Sequence, residues 1–291
     1  MPPKGAIKIR LAITTVFVAF LLFGVSAIDA SPVNLGAASQ FAALATTGSI
    51  ITNGGGSNRI SGVVGIAGTG QQFTGNATFN NTSYIHTDST FNGNTLGPGG
   101  QVIGPGNAQA DALLASAVSD AKTAATNAAA MTPTQTFTTN PGTITTPSAP
   151  GTYVYNITDL NGTITVTTPA GATGIMVIVN VTNSSTGTVT LNIGGSLTPE
   201  DVLWNVQSGG SLNIAGDSAG IILAPAATIV MNSRSVTGQV IAASLSMTGG
   251  NSSSIISTAP VIPETSSLSI VAIGAAALLG HRFLGRRKSP G

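Results

Sequence analysis

Short apolar runs recur in the C-terminal half of the chain, separated by turns rich in Gly, Ser and Asn. Three of them begin 19 positions apart: Val202-Leu-Trp-Asn, Ile221-Ile-Leu-Ala and Val240-Ile-Ala-Ala. Each is followed by a second alternating segment, at residues 211–213, 228–230 and 244–246. A period near 20 residues is too short for a propeller blade or a helical-repeat pair, and the consensus of leucine-rich repeats is missing. The pattern predicts a β-solenoid with two short strands per coil and right-handed crossovers.

The alternating segments continue upstream with irregular spacing. Their central apolar residues are Ile144, Ile164, Val189, Leu212, Ile229 and Leu245. Side chains alternate along a strand, so the residues that flank these centres point outward if the centres point inward. The outward pairs are then Thr143/Thr145, Thr163/Thr165, Thr188/Thr190 and Ser211/Asn213. About six stacked rungs would thus carry a rigid grid of hydroxyl and methyl groups, spaced roughly 4.8 Å along the stack and roughly 6.7 Å along each strand.

A single long helix is predicted between the two groups of coils. Asn107 is a suitable N-cap, the helix covers residues 108–131, and Pro133 ends it. One stripe of the helix consists mostly of alanine: Ala110, Leu113, Leu114, Ala117, Ala121, Ala124, Ala128 and Met131. Because the stripe is so small, we expect the helix to lie close against one flat face of the solenoid. Residues 65–104 alternate only weakly, and we expect loose coils or a cap at one end of the stack.

The N-terminal segment has the three parts of a secretory signal. Lys4, Lys8 and Arg10 precede an apolar run from Leu11 to Val25, and small residues follow up to Ala30. This predicts a signal peptide at residues 1–30, with a retained N-terminal anchor as the alternative. Either interpretation implies export.

The C-terminal segment, residues 261–291, differs in composition from the domain that precedes it. Pro263-Glu264-Thr265 is followed by an apolar stretch and then by an Arg-rich end, His281-Arg-Phe-Leu-Gly-Arg-Arg-Lys288. It resembles the sorting tail processed by exosortases, although members of that class usually carry Pro-Glu-Pro. The resemblance implies an exosortase-type enzyme as a partner, with Pro263 and Glu264 as the sorting motif. The alternative is a simple membrane helix, and both interpretations place residues 31–260 outside the cytoplasmic membrane, at the cell surface.

Charge and composition exclude several classes of function. Only 7% of the residues are charged, and residues 31–260 carry three basic against seven acidic side chains. Such a domain cannot supply the row of phosphate contacts that nucleic-acid binding requires. The chain has no cysteine, so disulfides and thiolate metal sites are excluded as well. We predict neither a metal nor a cofactor.

Candidate catalytic motifs are weak. Gly216-Asp-Ser-Ala-Gly220 matches the elbow of hydrolases, but a strand pattern follows it where that motif needs a helix. The domain has a single histidine, His86, far away in sequence, and no phosphate loop, zinc helix or calcium loop occurs. We therefore predict that the protein is not an enzyme. Tyr153 and Tyr155 could form an aromatic platform for a carbohydrate or a packing pair, and the sequence leaves both open.

Two families of extracellular solenoids share motifs with this chain. The segments Val33-Asn-Leu-Gly-Ala-Ala-Ser-Gln-Phe-Ala-Ala-Leu44 and Ile60-Ser-Gly-Val-Val-Gly-Ile66 resemble the opening of bacterial ice-binding protein domains. That resemblance covers roughly residues 33–256 and implies an irregular right-handed β-solenoid with one long helix along it, and ice as the ligand. Leu223-Ala-Pro-Ala-Ala and Gly238-Gln-Val-Ile-Ala-Ala-Ser-Leu resemble equally well the secreted choice-of-anchor surface proteins, which implies a structural or adhesive role.

Together these observations predict an all-β fold with one long helix, exported and anchored at the cell surface. The leading hypothesis is a non-enzymatic, ice-binding-like protein whose flat Thr/Ser-rich face meets an ice surface. The alternative is a structural or adhesive protein of the extracellular matrix, with an extracellular polymer as partner and no ice activity.

Overall fold

A computed structural model describes residues 33–53, 58–79, 81–104, 106–183, 188–248 and 253–257. The predicted signal peptide and the predicted sorting tail lie outside these residues. From Leu35 onwards the described residues form one compact unit. None of the described helices is both long and apolar enough to cross a membrane.

The described residues form 21 strands and one long helix, with two 3-10 turns at Gly36–Gln40 and Pro199–Asp201. The helix, α1, is Ala108–Ala130. The strands before it are β1 Phe41–Ala45, β2 Ile50–Thr52, β3 Arg59–Ser61, β4 Val63–Ile66, β5 Gln72–Gly75, β6 Thr78–Phe79, β7 Thr82–Ile85, β8 Thr90–Asn92, β9 Thr95–Leu96 and β10 Gln101–Ile103. Those after it are β11 Gln135–Thr139, β12 Thr143–Thr145, β13 Gly151–Asp159, β14 Gly162–Thr167, β15 Ile175–Asn183, β16 Thr188–Gly194, β17 Val202–Val206, β18 Ser211–Ile214, β19 Ser218–Asn232, β20 Ser235–Thr248 and β21 Ser254–Ile256.

The strands stack in three parallel ladders, which confirms the solenoid. The helix face is the ladder β10, β7, β4, β1, β20, β19, β17, β15, β13, β11. The open face runs through β8, β5, β2, β20, β19, β18, β16, β14 and β12. The third face runs through β9, β6, β3, β21, β20 and β19. The long strands β19 and β20 pass through all three ladders, so many coils have three strands, one more than the predicted two.

The order of the coils is not the order of the chain. Strand β1 pairs with β4 on one side and with β20 on the other, so the first coil lies directly against the last. From there β4 to β10 build the stack to its upper end, formed by β8, β9 and β10. Helix α1 returns the chain along the stack to the lower end, formed by β11 and β12, and the remaining coils fill the space back to β20. Of the two alternatives expected for residues 65–104, loose coils or a cap, the structure shows coils, which pair in register with the rest of the stack.

Glycine is required at the corner where the third face turns into the helix face. Gly220 and Gly238 are ladder partners there, with φ of 117° and 134°. A Cβ on Gly220 would come within 2.5 Å of Trp204 Nε1, and one on Gly238 within 2.1 Å of the Gly220 carbonyl oxygen. Trp204 is fully buried in the core, and its Nε1 donates to the Ala219 carbonyl at 2.9 Å. The corner can thus pass close to the largest core side chain only without a Cβ.

The helix follows its sequence prediction closely. Asn107 Oδ1 accepts from the N–H groups of Gln109 and Ala110 at 3.1 and 3.0 Å, and the helix ends at Ala130, one residue early. The residues of the stripe that are buried are Ala110, Leu114, Ala117, Ala121, Ala124 and Ala128. Leu113 and Met131 are only half-buried. The stripe packs on the helix face, where α1 contacts β7, β15, β17 and β19.

The predicted register of the helix-face strands is wrong by one residue at each step. Leu203 pairs with Ile221, and Ile222 pairs with Val240, so each interval is 18 residues instead of 19. The runs are apolar at nearly every position because the core lies on one side of them and the helix on the other. Without alternation, the sequence holds no information on which residue of a run points inward.

Candidate functional site

All eight predicted outward residues lie on the lower half of the open face. Thr143, Thr145, Thr163 and Thr188 are exposed, whereas Thr165, Thr190, Ser211 and Asn213 are half-buried. The centres between them, Ile144, Ile164, Val189 and Leu212, are at most 3% exposed. Alternation therefore sets the inward and outward directions of these strands as expected. The function of the eight residues stays a prediction.

The grid is staggered, which corrects the expected rungs. Ile144 pairs with Val166, Ile164 with Leu191 and Val189 with Ile214, each two residues further than predicted. Only the last three centres, Leu212, Ile229 and Leu245, are stacked as expected. A shift of two residues keeps every side chain on its own side of the sheet, so the outward set survives while its neighbours change.

The stagger produces short rows of hydroxyl and amide side chains along the stack. Thr143 is followed by Thr165 and then by Asn192. Alongside them run the pairs Thr145 with Thr167, Thr163 with Thr190, and Thr188 with Asn213. Gly216 lies against the Thr190 side chain, since a Cβ there would come within 2.4 Å of Thr190 Oγ1. The array of threonines thus ends beside Thr190, at the turn before β19.

The upper half of the open face extends these rows beyond the predicted residues. One row contains Ser211, Thr228 and Ser244, and the next contains Asn213, Val230, Ser246, Ile51, Thr74 and Asn92. Val230 and Ile51 interrupt the polar surface, and Ile51 is 37% exposed. The weak alternation around Phe73 and Phe91 was the available sequence signal for Thr74 and Asn92.

No charged side chain lies on any described open-face segment of strand, from β12 up to β8. A shallow depression of about 960 Å³ lies away from this surface, at the start of α1, where Val102, Ile103 and Ala112 contribute to its wall. The described open face is therefore an uncharged surface of mostly short side chains, suited to an extended neutral ligand.

Both tyrosines pack towards the core, so the carbohydrate platform is wrong. Tyr155 is 2% exposed and stacks on Phe137 with ring centroids 6.5 Å apart. Burial raises the pKa of Tyr155 above its ordinary value. Tyr153 is half-buried against the core, and its hydroxyl donates to the Ala149 carbonyl at 2.7 Å.

The hydroxyl of the hydrolase-like motif serves the fold. Ser218 is 5% exposed and begins β19, so a strand follows it and not a helix. Its Oγ accepts from the Leu191 N–H at 3.0 Å and donates to the Gly216 carbonyl at 3.1 Å. Among the described residues, no three His, Cys, Asp or Glu side chains come together as a metal site would require.

Comparison with known proteins identifies the domain. A family model described as "Putative Ice-binding-like adhesive domain" matches residues 26–253. The chain is similar to the crystal structure of an ice-binding protein from an Antarctic biological consortium, with 21% identity over 77% of this chain and 91% of that one and a TM-score of 0.46. An ice-binding protein from an Arctic yeast is 18% identical over 79% and 95%, with a TM-score of 0.48. That of Shewanella frigidimarina is 14% identical over 77% and 96%, with a TM-score of 0.42.

No curated protein matches the sequence. The matched family covers all of the described coils up to β20, together with the helix and the open face. The chain belongs to the family of ice-binding-like adhesive domains.

Proposed function

We propose that the protein is a non-enzymatic, ice-binding-like protein that meets an ice surface through its open face. The observation that carries this proposal is the flat, uncharged array of threonines on β12, β14 and β16, with alternate side chains buried in the core beneath it. Hydroxyl and methyl groups at spacings fixed by the ladder can hold water in an ordered layer. Threonine has few rotamers, so little side-chain entropy is lost on contact.

The family membership supports the same proposal, since both its description and the similar solved structures refer to ice binding. Ice is a neutral, extended and rigid ligand. A surface that binds it must therefore gain affinity from many weak contacts made at once, and preorganisation replaces the deep pocket of a small-molecule site.

The test measures thermal hysteresis and inhibition of ice recrystallisation with purified residues 31–260. We expect activity in the parent domain, and we expect Thr163→Tyr and Thr188→Tyr to remove most of it. The large tyrosine ring would hold the ice surface away from the neighbouring threonines. Thr237→Tyr, on the third face, is the matched control and should keep the parent activity. A parent domain without ice activity contradicts the proposal, and activity lost only with Thr237→Tyr moves the ligand to the third face.

A structural or adhesive role is the second candidate. The family description names adhesion beside ice binding, and the same array could contact an extracellular polymer. An adhesive role predicts that immobilised extracellular polysaccharide retains the parent domain but not the Thr163→Tyr variant. It also predicts that the parent domain has no effect on ice growth.

Location at the cell surface is part of the proposal. Residues 1–30 would direct export, and residues 261–291 would hold the domain at the membrane or be processed by an exosortase-type enzyme at Pro263 and Glu264. The sequence patterns at both ends support this. Mass spectrometry of the protein recovered from separate cytoplasmic and cell-surface fractions tests it: a chain with an intact N-terminus found only in the cytoplasmic fraction contradicts it.

A further inference from the structure

Both ends of the stack expose the edges of strands. Within the described residues, β8, β9 and β10 at the upper end each have a ladder partner on one side only, and so do β11 and β12 at the lower end. Their outward backbone groups face away from the stack. Such edges are templates for a further strand.

The core is also exposed at these ends. Leu96 stacks on the fully buried Phe79, yet it is 42% exposed because none of the described coils lies above it. Gln135 at the lower end occupies the inward position that its partner Tyr155 fills in the next coil, and it is exposed. Phe91 and Phe137 are likewise only half-buried. An additional coil at either end would bury these side chains.

The edge strands at both ends are short, two to five residues each, but they carry neither charges nor prolines. Residues 90–107 and 132–150 contain no charged side chain, and no proline lies within β8 to β12. Natural sheets commonly block their edges with charges, often on inward-pointing positions, or with prolines. Among the described residues, the edge strands at both ends are therefore uncharged as well as paired on one side only.

The two ends are complementary in direction. All pairings between the described strands are parallel, and the chain climbs from the lower end towards the upper end in both groups of coils. The upper end of one copy and the lower end of another would thus continue two of the three ladders, β10 against β11 on the helix face and β8 against β12 on the open face. The third-face strand β9 would lie beside this junction without a described partner strand. We propose that a second copy of this chain docks head to tail on these ends. Because the two surfaces are opposite ends of the same ladders, the contact repeats along the stack and extends into a filament instead of closing into a ring.

This assembly goes beyond the proposed ligand and does not depend on it. In a filament the open faces of successive copies would form one continuous array. Binding to any extended surface would then become multivalent, with avidity above that of a single domain.

The chain has no native cysteine, so one cysteine can be placed at each end. Leu96→Cys and Gln135→Cys are made in the full-length chain, singly and together, and treated with a short bis-maleimide on intact cells. We expect a dimer when the two single variants are mixed, none with either variant alone, and a ladder of trimers and longer species with the double variant. The control Thr237→Cys, in the middle of the stack on the third face, should give no product.

A second change tests the contact itself. A Leu96→Cys chain is mixed with a Thr139→Cys chain, and both also carry Gln135→Lys. The lysine places an inward charge at the lower end. We expect at least a tenfold loss of cross-linked dimer relative to the same two cysteine variants without the lysine. The proposal is overturned by a double variant that stays monomeric, by homodimers of a single variant, which indicate a head-to-head contact, or by a yield that the lysine does not change. Protection of Leu96→Cys from a monofunctional maleimide in dilute monomer also overturns it, because the chain would then cover its own end.

Discussion

The helix face and the open face are built from the same coils, yet the outward side chains of the first are largely covered and those of the second are accessible. On the helix face, the outward row runs through Asn156, Asn180, Asn205, Leu223, Ile241 and Leu44, and α1 covers its central members. On the open face the corresponding rows are threonine, serine and asparagine, and they remain accessible. The backbone ladder is common to both. The difference lies in what the outward side chains can offer to a neighbour.

The covered row holds the helix through an asparagine ladder. Asn180 Nδ2 donates to the Ala128 carbonyl at 2.8 Å and to Asn156 Oδ1 at 3.1 Å. Asn205 Nδ2 donates to the Ala125 carbonyl at 3.0 Å and to Asn180 Oδ1 at 2.8 Å. Ala128 lies in the last turn of α1, and its carbonyl also accepts from the N–H of the C-cap residue Met131 at 3.4 Å. The ladder therefore fixes the C-terminal end of the helix on the solenoid and ends at Leu223, which leaves Asn205 Oδ1 without a partner.

The largest effect is expected from breaking this ladder. Asn180→Ala removes a fully buried side chain that takes part in three hydrogen bonds, and it leaves the partner groups of those bonds buried without them. We expect the free energy of unfolding of residues 31–260 to fall by about 3 kcal/mol, measured by urea denaturation. Asn213→Ala on the open face is the control, with an expected change within about 0.5 kcal/mol. Equal losses for both would contradict the distinction between a covered and an open row.

A smaller effect is expected from enlarging the helix stripe. Ala121 is fully buried in the centre of α1, so Ala121→Leu adds volume where the helix approaches the sheet. Overpacking of this kind costs about 1–3 kcal/mol, again visible in urea denaturation. The next residue, Lys122, is exposed. Lys122→Leu should change stability little, and a harmless Ala121→Leu would show that the helix does not lie close to the sheet.

The smallest effect concerns the start of the helix. The N–H of Thr87 donates to Asp111 Oδ1 at 3.0 Å, and the Thr87 hydroxyl donates to the same carboxylate. These bonds, chiefly that of the hydroxyl, hold the pKa of Asp111 below its ordinary value. A depressed carboxylate pKa stabilises the fold above the ordinary pKa, and this contribution is lost as the pH falls through the folded value.

We therefore expect hydrogen-exchange protection of the Thr87 amide, corrected for intrinsic exchange, to decrease as the pH falls from about 5 to about 2. Asp111→Asn should make that protection independent of pH over this range. Asp88→Asn, a neighbouring exposed carboxylate, should leave it as in the parent. A parent profile that is flat would contradict a role for Asp111 in holding the helix start.

The sequence alone determined the solenoid, the helix with its Asn107 cap, and which side of each open-face strand points outward. Alternation of period two contains that information because one side of those strands is buried and the other is not. The sequence alone did not determine the register between stacked strands. Ile144 could stack on Ile164 or on Val166 without moving any side chain to the other side, so only the packing of complete coils decides between them.

Only the tertiary structure decided which outward row is covered. The repeated segments Asn156-Ile-Thr158 and Thr163-Ile-Thr165 follow the same polar–apolar–polar pattern, yet Asn156 joins the ladder beneath the helix whereas Thr163 is exposed. The joining of β1 to β20, and with it the two open ends, is equally absent from any local pattern. Both depend on contacts between segments about 50 to 200 residues apart, and such contacts form only when all the coils are packed in one arrangement.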